Sequence, residues 1–562
     1  MMKMFERVTA GTSAVLAVAF LLQGCGATED DNNLPPGTPR ASDDVVRVTA
    51  TGATAVAVLA NDADPDNDPL TVTITESPFV GTASVNTDKT VRLDLPTGFR
   101  GVTRFKYKVT DPSGKSNSAT TVVFVDADPY RVLFAGSSGS TQPSELYMTD
   151  LVAPVQVSKA ATSTLRLQDY SRSPKGSIVV YTRADPANTR TTTEMYLVQL
   201  KPVATPVRIP APAGRRFTEG FKVAISADDR WIAVATDSTT VNNGPSDLYV
   251  VDATNPGSAT RVTGSDNLSP AFTQFVGDQP VLYFFASPPA AGNASAMYRV
   301  PVTALSAPEK VSPLYNTNTV SNDFIFVSPD QSRILIFGQR ASQDGLFGVD
   351  TASPATETSL STNLAANERI EAFDPTVDLT RVVYLSRSGG STTARVSVVP
   401  TDGSAAPQSL LTAPLTNLSG LKPDASAVLV TRGTGGAGAN GLLAEISTDT
   451  SGSETTVTSN VGTGSYDETG DRVITVGTGL RPGVIQRGDF GRTGDALISS
   501  SNAAPSLFQT IEYGRSAALF SDSASNLGIV NFAAPGKVLT LTSMTVDSSA
   551  ALRPTAIVGV VP

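Results

Sequence analysis

"SPDQSRILIF" (residues 328–337) carries the pattern on which the fold of this chain turns. A polar turn around Pro329 and Asp330 leads into Ile334-Leu-Ile-Phe337, residues that suit a pleated, buried strand. The same phrase returns along the chain: "SPKGSIVVY" (173–181), "SADDRWIAVA" (226–235), "VGDQPVLYFFA" (276–286), "DPTVDLTRVVYL" (374–385), "KPDASAVLVT" (422–431), "YDETGDRVITV" (466–476) and "YGRSAALF" (513–520). A second phrase follows most early copies: "SELYMTD" (144–150), "TEMYLV" (193–198), "SDLYVVD" (246–252), "SAMYRV" (295–300) and "GLFGVD" (345–350).

The unit returns about every 45–50 residues and has room for four short strands, the signature of a β-propeller blade. Its S-P-D-G-like turn and following L-Y-x-x-D strand resemble TolB-like propeller repeats. That resemblance implies a binding platform or, in relatives with an added hydrolase domain, a gate before a serine peptidase. "YRVLFAG" (130–136) opens a unit that lacks its inner strand, and "RPTAIVGVV" (553–561) is a lone strand at the far end. Pairing the two would close the ring and remove its exposed sheet edges.

Residues 44–127 read differently. In "RFKYKV" (104–109), Phe105, Tyr107 and Val109 alternate with Arg104, Lys106 and Lys108. "LTVTI" (70–74) and "TTVVFV" (120–125) are expected to behave similarly, and several short strands with polar turns indicate a β-sandwich. "VLANDADPDNDPLTVT" (58–73), with the later F-x-Y-x-V-x-D strand end, resembles cadherin-like and Ig-like modules of bacterial surface proteins. The resemblance implies calcium at acidic turns. Asp62, Asp64, Asp66 and Asp68 alternate, and Asp111 stands at a neighbouring strand end, so all five are candidate Ca2+ ligands. A solvated acidic turn, with Asp and Pro serving turn geometry, is the plainer reading.

The N-terminus gives an address. Lys3 and Arg7 precede the apolar run "AVLAVAFLL" (14–22), and "QGC" ends at Cys25, the single cysteine of 562 residues. The run is too short to span a membrane and has the layout of a signal peptide. Leu22-Gln23-Gly24-Cys25 resembles the bacterial lipobox, although Gln23 departs from its usual small or aliphatic residue. The resemblance implies removal of residues 1–24, acylation of Cys25 and, with Gly26 next, an outer-membrane destination. Two acyl chains give durable attachment. Residues 25–43 are polar and proline-containing, as expected of a linker.

The domain plan is therefore 1–24, 25–43, 44–127 and 128–562, and the fold class is all-β. A small Ig/cadherin-like β-sandwich should precede a closed β-propeller of eight to nine four-stranded blades. The net charge of −10, with no basic block, speaks against nucleic acid as a partner. No histidine is present, which removes imidazole-based nucleophile activation and the usual zinc or haem ligation. No catalytic residue is assigned.

The expected function is a lipid-anchored binding or scaffold protein whose propeller presents a face to an envelope or extracellular protein or glycan. The alternatives are a carboxylate-based hydrolase or lyase acting on polysaccharide or peptide, and a calcium-dependent adhesin. Asp228, Asp330, Asp374, Asp424 and Asp467 fall at the repeated strand turn, where aspartate shapes a hairpin. "QRGDF" (486–490) contains a cell-attachment tripeptide without structural context, and Trp231 is expected in a strand core.

Overall fold

The computed structural model describes residues 35–561 with short interruptions, which are most frequent beyond Gln486. The signal segment, Cys25, the linker up to residue 34 and the Arg-Gly-Asp tripeptide at 487–489 lie outside the described residues. Every regular element among the described residues is a strand. The chain divides into two compact units, Met1–Pro129 and Tyr130–Pro562.

The first unit is a sandwich of two sheets. β1 (Asp44–Val48), β2 (Gly52–Val56), β3 (Thr71–Glu76), β4 (Thr82–Val85), β5 (Val91–Leu95), β6 (Gly101–Thr110) and β7 (Ser116–Val125) sort into the orders β1-β7-β6-β3 and β2-β5-β4. β1 runs parallel to β7, with Asp44 opposite Thr121. The alternation read in β6 holds: Phe105, Tyr107 and Val109 are fully buried, while Lys106 is exposed. The similar reading of "TTVVFV" does not hold. Val122, Val123, Phe124 and Val125 are all buried, so both faces of β7 are covered over this stretch.

In the second unit, strands Arg166–Arg172, Ile178–Ala184, Glu194–Gln199 and Val207–Ile209 form one antiparallel four-stranded sheet, blade 2, and this plan repeats. Blades 3, 4, 5 and 6 are centred on Trp231–Ser238, Val281–Ala286, Arg333–Arg340 and Arg381–Ser388. Blades 7 and 8 share the long strand Glu454–Tyr466, which fuses them into one seven-stranded sheet. Blade 9 spans Gln509–Thr540, so the described strands group into nine blades.

Blade 1 has a divided origin. Arg131–Ser137, Glu145–Thr149 and Pro154–Gln156 come from the start of the unit, and Arg553–Val561 pairs antiparallel with Arg131–Ser137 to supply the fourth strand. This pairing closes the propeller as the two incomplete sequence units suggested.

The second strand of each blade explains why the repeated phrase is apolar without alternation. Ile334 and Ile336 pack into the core shared with blade 4, while Leu335 and Phe337 pack into the core shared with blade 6. Val179 and Tyr181 face blade 1, whereas Ile178 and Val180 face blade 3. Val428 and Val430 likewise face blade 6, and Leu429 faces blade 8. A strand buried on both faces needs a continuous apolar run.

One charged pair crosses the blade 1–2 joint. Arg183, 2% exposed, donates to the Glu145 carboxylate, which also accepts from Ser158.

Candidate functional site

The acidic loop between β2 and β3 folds around one carboxylate. Asp64 Oδ1 accepts the N–H groups of Asp66 and Asp68 at 2.9 and 3.0 Å, and Asn67 between them takes a positive φ of 58°. An asparagine tolerates that left-handed backbone better than most residues. The fold thereby gathers Asp64, Asp66 and Asp68, whose ligand oxygens lie within 4.8 Å of one another. Asp66 and Asp68 are exposed, while Asp64 Oδ2 is buried with no hydrogen-bond donor. Three carboxylates, one of them with an orphaned oxygen, suit a Ca2+ ion, which takes six to eight oxygen ligands at about 2.3–2.6 Å. Water and backbone carbonyls would have to complete such a shell.

The N-terminal strap lies over this loop. Arg40 and Ala63 exchange backbone hydrogen bonds, and Lys115 Nζ donates to the Pro36 carbonyl at 2.8 Å. A β-carbon on Gly37 would stand 2.6 Å from Asp66 Oδ2, and Gly37 has φ +76°, so glycine is required there on both counts.

Two of the five expected ligands are spent elsewhere. Asp62 accepts the Ser42 N–H at 2.7 Å and lies 3.1 Å from the Tyr107 hydroxyl, so it faces the strap and core. Asp111 accepts from the Ser113 hydroxyl and the Lys115 N–H within its own turn. Against a desolvation cost, those hydrogen bonds hold Asp111 below the ordinary carboxylate range.

Asp44 forms a second buried acidic group with Asp62, one that sequence reading missed. It opens β1, is buried, and accepts the Thr121 hydroxyl at 2.9 Å. Burial, aided by the nearby Asp62, pushes Asp44 up to about 7 against that hydrogen bond. Burial likewise pushes Asp62 up to about 6, against donation from Ser42 and Tyr107. Tyr107 is raised by its own burial and by both carboxylates. The available signal was "DDVV" (43–46), an acidic pair running straight into an apolar strand.

The propeller's turn aspartates are committed locally. Asp228 accepts from Ser226 Oγ and the Arg230 N–H, and Asp330 from Ser328 Oγ and the Ser332 N–H. Asp424 accepts from Ser426 and Lys422, and Asp467 from Thr469 and Arg472. Hydrogen bonds from Ser328 and Ser332 hold Asp330 low; Lys422 and Ser426 do the same for Asp424 despite a desolvation cost.

Asp374 is a correction. It lies within the strand Glu368–Pro375, and the turn aspartate of blade 6 is Asp378, which accepts from Thr376 Oγ1 and the Thr380 N–H. Asp374 instead accepts the Leu421 N–H of blade 7 at 2.7 Å, and burial raises its pKa. Trp231 packs partly buried in the core between blades 3 and 4, with the Arg230 guanidinium 4.7 Å from its ring centroid.

Residues 33–124 match the bacterial Ig domain family. Over 60% of its length the chain is similar in structure to 79% of TolB from Acinetobacter baumannii, at 15% identity and TM-score 0.29. Oligogalacturonate lyase from Vibrio parahaemolyticus is similar at 14% identity and TM-score 0.35, covering 64% of this chain and 96% of that one. Dipeptidyl peptidase 4 from Porphyromonas gingivalis gives 12% identity and TM-score 0.42, covering 59% and 51%. No curated protein matches the chain.

Proposed function

We propose that this chain is a bacterial envelope protein that binds rather than catalyses: anchored through lipid on Cys25, its propeller presents a face to a protein or glycan. The observation that carries this reading is the employment of the turn carboxylates. Asp228, Asp330, Asp378, Asp424 and Asp467 each accept hydrogen bonds from their own hairpin. Acid–base catalysis by carboxylates needs a pair whose environments drive the pKa values apart beside a substrate. The raised carboxylate described in the propeller, Asp374, stands in a backbone contact between blades. The absence of histidine supports the same reading, and the bacterial Ig match supports the envelope assignment.

The Ig-like unit lies between Cys25 and the propeller in sequence, and its Asp64–Asp66–Asp68 loop is the proposed Ca2+ site. The orphaned Asp64 Oδ2 favours that assignment.

Protease shaving of intact cells, compared with cells whose outer membrane is opened, tests the placement, with Cys25→Ala as the unanchored control. Loss of membrane association in Cys25→Ala is expected; an unchanged membrane fraction would sink the lipid anchor. In-cell cross-linking followed by mass spectrometry and a glycan array then test binding. Turnover of a polysaccharide or peptide by purified chain would replace the binding reading with the enzymatic one.

A further inference from the structure

Seven non-glycine residues among those described hold a positive φ, and four of them occupy one slot. Asp229 (63°), Gln331 (61°), Leu379 (56°) and Ala425 (59°) are each the fourth residue of the five-residue turn between a blade's first and second strands. Gly176 and Gly470 fill the slot in blades 2 and 8, with φ of 68° and 72°. Left-handed backbone disfavours any residue with a β-carbon, so glycine would serve best if turning were the slot's whole task. Strain kept at a repeated position points to a job for the side chain.

In each case the slot meets the preceding blade. Asp229 reaches into the turn of blade 2, where it accepts from Ser173 Oγ at 2.8 Å and from the N–H groups of Lys175 and Ser177, both at 3.1 Å. Gln331 lies over the turn of blade 4, 3.4 Å from the Tyr283 hydroxyl, and its amide fills the space a β-carbon on Gly277 would need. Leu379 is 2% exposed and packs with Leu335 and Leu346 of blade 5. Ala425 offers its carbonyl to Arg381 of blade 6 at 3.3 Å. At Gly470 the space is already taken: a β-carbon there would stand 2.8 Å from the Lys422 stem of blade 7.

The exceptions follow the same logic. Blade 1 takes its inner strand from Arg553–Val561 and so has no such turn, and the blade that follows it carries glycine, Gly176. Blade 4 turns through Gly277–Pro280 between the paired Val276 and Val281, a shorter hairpin that lacks the slot.

We propose that, in the described turns, the left-handed residue is an address read by the preceding blade, through a side chain at Asp229, Gln331 and Leu379 and through its absence at Gly470, with Ala425 neutral, so that the order of these blades is written in their turns. Polar address meets polar turn at Asp229, apolar meets apolar at Leu379, and glycine meets a filled space at Gly470. Nine similar sheets in one chain invite pairing with the wrong neighbour, a known failure of repeat proteins. A key that fits one neighbour and clashes with, or leaves unpaired, another removes those alternatives.

The test uses the full chain and glycine substitutions, which relieve the backbone while deleting the side chain. Asp229→Gly, Leu379→Gly and Ala425→Gly are compared by urea midpoint and by amide exchange of the strand each turn abuts. A slot concerned with turning alone predicts that all three raise the midpoint. The address predicts lower midpoints for Asp229→Gly and Leu379→Gly, at least tenfold faster exchange at the 2–3 and 5–6 joints respectively, and no loss for Ala425→Gly. Midpoints at or above wild type for the first two overturn it. Should Asp229→Gly not fold, Asp229→Asn and Ser173→Ala are measured singly and together. Effects that fall short of additive support the address, and additive effects overturn it.

Discussion

Asp44 lies opposite Thr121 in the parallel pair of β1 and β7 and accepts its hydroxyl at 2.9 Å in a buried hydrogen bond. Burial raises Asp44 from 3.8 to about 7, so the folded unit holds the neutral acid where the unfolded chain would ionise. A group raised on folding stabilises most below its unfolded value and loses that contribution as pH climbs to its folded value. The Ig-like unit should therefore weaken between about pH 4 and 7, by on the order of a few kcal/mol. Asp44→Asn should flatten this slope and gain stability at pH 8 relative to wild type. Amide exchange of β1 and β7 across that range decides it; a slope unchanged in Asp44→Asn would refute the assignment.

The acidic loop predicts a selective response to cation. Ca2+ should raise the melting temperature of the Ig-like unit, and terbium bound there should be excited through tyrosine. Asp66→Asn and Asp68→Asn should each weaken binding by about tenfold or more, since affinity tracks ligand charge. Asp111→Asn should leave it unchanged, because that carboxylate serves its own turn. Equal losses from all three variants would count against a site confined to Asp64, Asp66 and Asp68.

Much of the fold could be read from the sequence because its signals are local. The turn residues Ser328, Asp330 and Ser332 lie within five positions of one another and bond to one another. Asp374 misled because Asp374-Pro375 imitates a turn opening, while the strand runs through Pro375 and the turn opens one residue later, at Thr376. The Asp44–Asp62–Tyr107 cluster was illegible for another reason. Its members stand 18 to 63 positions apart, and only the strap's return along the sandwich brings them together. The address slot was visible as residues but not as backbone: Gln331 and Leu379 in the place of glycine have meaning only once φ is known.

The buried pair at the first joint should show the asymmetry of desolvated charges. Glu145→Gln leaves Arg183 ionised in a site that admits almost no water, and should cost on the order of 3–5 kcal/mol. Glu145→Leu with Arg183→Met removes both charges and should cost markedly less than the sum of the single changes. Denaturant midpoints of the three variants test this; a double variant at or beyond the sum would show that the pair contributes packing rather than charge balance.

Deleting residues 553–562 should leave the strand Arg131–Ser137 with an unpaired edge. Open edges recruit other strands, so the shortened chain should elute as oligomers and bind thioflavin while the full chain does neither. A monomeric shortened chain with blade 1 still protected from exchange would mean that another strand covers the edge.

The doubly buried second strands also bear on how such a protein can change through descent. Ile334-Leu335-Ile336-Phe337 answers to two neighbours at once, even positions to one side and odd positions to the other. A single inserted residue would exchange the two sets and spoil both joints together. Substitutions there are accountable to three blades, so drift in one must be met by drift in its flanks. Loops can diversify freely, but the central strands inherit as a linked series, and a duplicated blade would arrive with both of its faces cut for neighbours it no longer has.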